Sequence, residues 1–246
     1  MVSTTAPDPE IILYDLACTK NVCFSPVVWR IRLMLNYKKV SYRTVFLEFP
    51  DIKPTLEEFG LVPGDQARGR YTVPTIQHVA SKKYIMDSAP ISRFIEETYP
   101  DPPIPLESEL GREIEVRARA VVGAVMSKSL WPDEIRILAP PAAEYFRHTR
   151  EAMLGHPLED LLDPVADTDR WAAVEGDIDE VGALMRTNAA EGPFVLGSRP
   201  SYTDFFIAGA LQSAKVIDGS VFERLVKRPG YRDIYSACLP YMARND

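Results

Sequence analysis

The sequence predicts an α/β N-terminal domain of order βαβ-ββα followed by an all-α helical bundle. Three short pieces carry the first half: Ser25-Pro26 opening a helix, Thr72-Val73-Pro74 opening a strand, and Asp87-Ser88 opening a second helix. The second half rests on a proline-rich break from Pro100 to Ser108, beyond which helical patterns recur and no strand pattern does. The expected division is a domain over residues 1–100, a linker over 101–108 and a helical domain over 109–246.

Ile11-Ile12-Leu13-Tyr14-Asp15-Leu16 is short, mostly apolar and rich in strand formers, so it reads as a buried strand. A polar loop runs from Ala17 to Phe24. Ser25 is then a good N-cap, and Pro26 takes the first helical position, where a missing N–H costs nothing. Val28, Ile31 and Leu35 give the helix its apolar stripe. Its N-terminus is a half-positive site with unpaired backbone N–H groups, where a hydroxyl can donate to a thiolate brought by a ligand. The plain alternative is that Ser25 caps the helix and does nothing more.

Thr44 to Glu48 reads as a second strand, parallel to the first, with a right-handed crossover. Residues 50–71 hold Pro50, Pro54, Pro63, Gly60, Gly64 and Gly69, which predicts an irregular stretch with at most a short helix near Leu56. Pro74 stands at the mouth of the next strand, Thr72 to Ile76. There it serves either as a trans edge device, which the residue pattern alone favours, or in a cis turn. A cis turn would present the Val73 N–H and C=O to an extended peptide. Lys83 to Met86 is the hairpin partner, with the turn at Ala80-Ser81-Lys82.

Ser88 is a natural N-cap for the stretch carrying Ile91, Phe94, Ile95 and Tyr99. Its hydroxyl and the helix N–H groups suit a carboxylate, and Asp87 suits an ammonium. Side by side, these match the α-amino acid end of a γ-glutamyl group, although a plain helix cap would use the same residues.

Taken together, these elements resemble the N-terminal domain of the cytosolic glutathione transferases, a thioredoxin-like layer. The segment Ser25-Pro26-Val27-Val28-Trp29-Arg30 most resembles the serine-type branch of bacterial β-etherases and the fungal etherase-related class. The resemblance covers the N-terminal domain and extends loosely over the helical remainder. It implies glutathione as co-substrate, with Ser25 activating the thiol. It also implies that Val73 pairs with the cysteinyl backbone through a cis Pro74, and that Asp87 and Ser88 hold the γ-glutamyl end.

The chemistry follows from the thiol. A free thiol titrates near about 8.5, so little thiolate exists at neutral pH, and a hydroxyl donor at a helix N-terminus lowers that value. The thiolate then attacks an electrophilic carbon, by addition or by displacing a leaving group such as a phenolate. No metal is required. The electrophile pocket is expected between the domains, with Phe24, Trp131, Tyr145 and Phe146 as candidate walls. Such walls favour hydrophobic aromatic small molecules, and the resemblance extends these to lignin-type ethers and polyphenols.

In the helical domain, Glu109 to Leu130 is charged early and rich in small residues later, with Ala118, Ala120, Gly123 and Ala124. In the resembling family the corresponding helix often lies at a homodimer interface; simple packing is the alternative. Pro140 to Met153 and Asp169 to Ala190 read as further helices, with a loop or an inserted segment over Gly155 to Thr168. Ser201 and Asp204 form a capping box ahead of the apolar run Phe205 to Leu211, a folding device and not a catalytic one.

Composition bounds the partners. With 28 Lys+Arg against 35 Asp+Glu, the formal charge is −7, which disfavours nucleic acid and anionic membranes as bulk partners. No apolar run reaches the roughly 18 residues of a membrane span, and residues 1–10 lack an apolar signal core. Three cysteines, Cys18, Cys23 and Cys238, are too few and too oddly spaced for a disulfide scaffold or zinc site. A cytoplasmic setting is expected. Two other functions are weighed: a non-catalytic binder of aromatic small molecules, and a thiol transferase using Cys23. Cys23 lies two residues before Ser25 and outside the cap position that lowers a thiol pKa.

Overall fold

The computed structural model describes residues 9–63 and 69–244, so most of the polar N-terminal segment and Gly64 of the proline-glycine loop lie outside it. Four strands, β1 (Ile11–Leu16), β2 (Tyr42–Leu47), β3 (Thr75–His78) and β4 (Lys83–Met86), form one sheet in the order β2-β1-β3-β4. β1 runs parallel to β2 and antiparallel to β3, and β3 pairs antiparallel with β4. Every residue of β1 is buried, as its continuous apolar run requires. The second strand begins two residues earlier than its β-branched centre suggests, because Tyr42 pairs with Ile11 and packs in the core.

Helices α1 (Pro26–Lys38), α2 (Ile52–Glu58) and α3 (Ser88–Thr98) complete this layer. Two expectations need correction here. Val73–Pro74 is cis, as the family resemblance implies and against the trans edge reading of the residues alone. The N-cap of α3 is Asp87, and Ser88 is the first helical residue. Asp87 does not cap with its side chain, which is turned toward Thr72.

From Glu109 onward the α-helices are α4 (Glu109–Ala118), α5 (Ala124–Glu134), α6 (Pro140–Leu154), α7 (Pro164–Ala172), α8 (Glu175–Met185), α9 (Tyr202–Ile217), α10 (Gly219–Val226) and α11 (Pro229–Cys238). The described residues there form no strand beyond an isolated Phe194–Gly197 bridge. The long helix expected from Glu109 is present but carries a π-helical turn at Arg119–Gly123 between α4 and α5. The helix expected over 169–190 is instead two helices. The first starts earlier, because Asp163 accepts from the Val165 and Ala166 N–H groups and Pro164 takes N1, within what the sequence reading leaves as a loop. The Ser201–Asp204 capping box forms as expected, and the Asp204 carboxylate also accepts from the Val195 N–H at 2.8 Å.

α9 is the axis of the molecule, lying along α1 and packing against α10 and α11. Gly209 makes this approach possible: a Cβ there would stand 3.0 Å from the Trp29 Cβ and 3.1 Å from the Pro26 carbonyl oxygen. One apolar core runs continuously from the sheet through α1 into the helical domain. No described helix is long and apolar enough to cross a membrane.

Candidate active site

The position of α1 is fixed from beneath by a buried ion pair. Asp15, the acidic residue in an otherwise apolar strand, lies 3.0 Å from the Arg32 guanidinium, with both side chains inaccessible to solvent. Arg32 also donates to Thr44 Oγ1 at 3.1 Å, and the Leu16 N–H donates to Asp15 at 2.7 Å. Breaking such a pair leaves an uncompensated buried charge, at about 3–5 kcal/mol. The clamp therefore ties α1 to β1 and β2.

Ser25 sits at the N-cap with its side chain accepting from the Val28 N–H at 3.4 Å, a long bond. Its own hydroxyl proton goes to no other described residue. The residue is 5% exposed. Ser25 itself lines neither of the two cavities that flank it, while its neighbours do: Val27 faces one and Pro26 the other.

The loop before β3 is bound to the start of α3. The Thr72 hydroxyl donates to Asp87 Oδ1 at 2.6 Å, and the Asp87 N–H donates to the Pro74 carbonyl at 3.1 Å. Asp87 is held at φ +74° and ψ 139°, a conformation rare for a residue with a side chain and one that clusters at ligand sites. Val73, Pro74, Asp87 and Ser88 thereby share the wall of a cavity of about 640 Å³. The far wall is helical, with Arg112 and Glu115 of α4, Arg119 of the π-helical turn, and Tyr202 and Thr203 at the start of α9. A second, more apolar cavity of about 350 Å³ adjoins it, lined by Pro26, Met126, Phe206 and Ile207. Arg30 and Arg119 belong to both walls.

The four aromatic residues expected to wall an electrophile pocket line neither cavity. Phe24 and Phe146 are fully buried in a second apolar cluster between the domains, with Trp131 partly buried against it. Tyr145 is 46% exposed and stacks on Phe49, ring centroids 6.0 Å apart. The structure thus gathers Phe24, Trp131 and Phe146 into packing and leaves Tyr145 at its edge. Arg150 covers this cluster, its guanidinium 4.5 Å from the Phe146 ring and 5.5 Å from that of Trp131. Nearby, burial pushes the Glu134 carboxyl up to about 7, with the attraction of Arg150 only partly offsetting it.

The chain matches two family profiles, "Glutathione S-transferase, N-terminal domain" over residues 24–98 and "Glutathione S-transferase, C-terminal domain" over residues 115–227. It is 31% identical over 217 residues, 82% of this chain and 78% of the other, to the glutathione S-transferase-like protein ustS of Aspergillus flavus. The chain belongs to the glutathione S-transferase family. Among solved structures it is similar to glutathione transferase GSTFuA3 from Phanerochaete chrysosporium, with a TM-score of 0.82, 27% identity and 95% and 97% of the two chains covered. It is also similar to CsGST83044 of Ceriporiopsis subvermispora, a glutathione complex, with a TM-score of 0.81, 28% identity and 94% and 96% coverage.

As in other glutathione S-transferases, a thioredoxin-like layer with a four-stranded mixed sheet precedes a helical domain. Cys23 has no accessible surface, and burial together with the neighbouring Asp15 carboxylate pushes its thiol well above the usual range. A buried, protonated thiol is a poor nucleophile. Sequence reasoning missed the helical side of the cleft. Arg30 lies within the Ser-Pro segment but looks like any charged helical residue, and Arg119 is one of several arginines along α4 and the π-helical turn. Phe206 reads as core. Only the tertiary arrangement brings these three together.

Proposed function

We propose that this glutathione S-transferase activates the glutathione thiol with Ser25 and directs it at aromatic electrophiles. The observation that carries the reading is the arrangement around the larger cavity: Val73, Pro74, Asp87 and Ser88 on one wall, with the N-terminus of α1 beside it. In this reading the Val73 N–H and C=O pair with the cysteinyl backbone of the peptide. Ser88 and the α3 N-terminus receive the γ-glutamyl carboxylate, and Asp87 receives its ammonium. The thiol then reaches the N-cap of α1. There the Ser25 hydroxyl, whose proton no other described residue takes, donates to the sulfur and favours its ionised form. Ser25 is a donor to the nucleophile and never the nucleophile itself.

The thiolate forms a bond to an electrophilic carbon while a leaving group departs with the bonding pair. A phenolate as that leaving group makes the reaction β-aryl ether cleavage, which the Ser25-to-Arg30 segment favours through its resemblance to the etherases. A role as a carrier of aromatic small molecules is the second reading, favoured by the apolar cavity beside Pro26. Homodimerisation fits the outward face of α4 and the π-helical turn, where Val116 and Ala120 are exposed.

The test is titration calorimetry of glutathione into wild type and Ser25→Ala, followed by turnover on a fluorogenic β-aryl ether and an activated aryl chloride. Binding in both proteins with turnover dependent on Ser25 supports the reading. Binding without turnover in the wild type moves the weight to ligand carriage, and absence of binding overturns the reading.

A further inference from the structure

Two arginines two residues apart on α1 meet opposite fates. Arg32 is buried against Asp15. Arg30 is also buried, at 7% exposure, and its Nε has no hydrogen-bond partner among the described residues. The Tyr202 hydroxyl beside it is likewise buried, interacts with the guanidinium itself, and makes no hydrogen bond to any other described residue. Glu115 is the carboxylate that acts on Arg30, but it is already engaged, accepting from Arg119 at 2.7 Å and from the Thr203 hydroxyl at 3.0 Å. What covers Arg30 is a ring: its guanidinium stands 4.5 Å from the centroid of Phe206, and Arg119 stands 4.5 Å from the same centroid.

A buried guanidinium with no carboxylate of its own is costly unless a bound anion completes it. Its location says what kind of anion. Arg30 and Arg119 stand where the two cavities meet, with polar walls on one side and Met126, Phe206 and Ile207 on the other. The volume of the apolar cavity, about 350 Å³, lies within the range of small-molecule sites. The π-helical turn at Arg119–Gly123 supplies part of its rim, and such turns are frequent at functional sites.

We propose that the electrophile of this enzyme is an aromatic carboxylate, its ring in the apolar cavity beside Phe206 and its carboxylate on Arg30 at the junction of the two cavities. This rests on the transferase reading above and names the substrate class of that site. Arg30 is then a specificity-determining residue. It selects acids over neutral aromatics, with Arg119 contributing a second positive charge across the same ring.

The peptide co-substrate also carries carboxylates, so the test separates the two sources. At saturating glutathione, kcat/KM is measured for chlorodinitrobenzene and for its carboxylated counterpart, chlorodinitrobenzoate, in wild type, Arg30→Met and Arg30→Lys. The ratio of acid to neutral substrate cancels any general loss of activity. We expect that ratio to fall at least tenfold in Arg30→Met and to recover in part in Arg30→Lys. An unchanged ratio overturns the proposal, as does a defect confined to the KM for glutathione, which would assign Arg30 to the peptide. Wild-type titration with unreactive dinitrobenzoate and dinitrobenzene reads the same site without turnover or a variant. At least tenfold tighter binding of the acid is expected, and equal affinity overturns the proposal. Failure of both chlorides to react counts against the transferase reading, and the titration still decides the anion site.

Discussion

Two serines begin helices in this chain, and their hydroxyl protons have different fates. At α9 the Ser201 hydroxyl donates to Asp204 Oδ2 at 2.6 Å, and that carboxylate also takes the Ser201 N–H at 2.7 Å and the Val195 N–H at 2.8 Å. Every group there is buried and engaged. At α1 the Ser25 side chain accepts one bond, at 3.4 Å, and donates to no other described residue. The two residues share a cap position and differ in whether the proton is committed. A committed proton makes a folding device, and an uncommitted one at a half-positive helix end can serve a ligand.

The largest effect expected from this contrast is at Asp204. Replacing it with Ala leaves the buried Val195 N–H and Ser201 without their acceptor, and stability should fall by about 3 kcal/mol in denaturant titration. Turnover per folded molecule should be kept. Ser25→Ala should do the reverse. We expect kcat/KM for an aryl chloride to fall roughly a hundredfold, near 2.7 kcal/mol, while stability changes by under about 1 kcal/mol because the cap bond is long. A stability loss at Ser25 as large as at Asp204 would erase the distinction. Ser201→Ala should cost about 1–2 kcal/mol of stability, since Asp204 retains its two backbone donors.

The smallest effect concerns pH and the second apolar cluster. The Glu134 carboxyl is raised from 4.5 to about 7, so the folded chain binds its proton more tightly than the unfolded chain does. Its neutral form is the favourable one: stability is full below the unfolded value and falls as pH rises from about 4.5 through 7. Glu134→Gln should therefore be more stable than wild type by about 1 kcal/mol at pH near 8, and the gain should vanish toward pH near 4. A fully buried carboxyl with this change would give roughly 3 kcal/mol, and the partial exposure of the Glu134 side chain lowers the figure. Thermal melts across that range check it.

How much of this the sequence revealed depended on how local the signal was. Ser25-Pro26, the Lys83 to Met86 hairpin partner and the Ser201–Asp204 box are short patterns whose physics lies within a few residues, and they form as read. Asp163-Pro164 is equally local, an N-cap followed by an N1 proline, although Pro157 and Pro164 together suggest a loop there. For Pro74 the residues alone favour trans, and the cis bond found is the one the family resemblance implies. The helical side of the cleft was not legible at all. Arg30, Arg119 and Phe206 are separated by most of the chain, and nothing in the local pattern of any one points to the others. The same limit explains why Phe24 and Phe146, chosen for their chemistry, turn out to be packed in a core cluster.

The most direct test of the uncommitted Ser25 proton is the ionisation of bound glutathione, followed by thiolate ultraviolet absorbance against pH in wild type and Ser25→Ala. The account predicts that the bound thiol in wild type titrates at least about one unit below its free value near 8.5, and that the variant returns toward it. Identical titration curves for the two proteins, with glutathione bound in both, would contradict it.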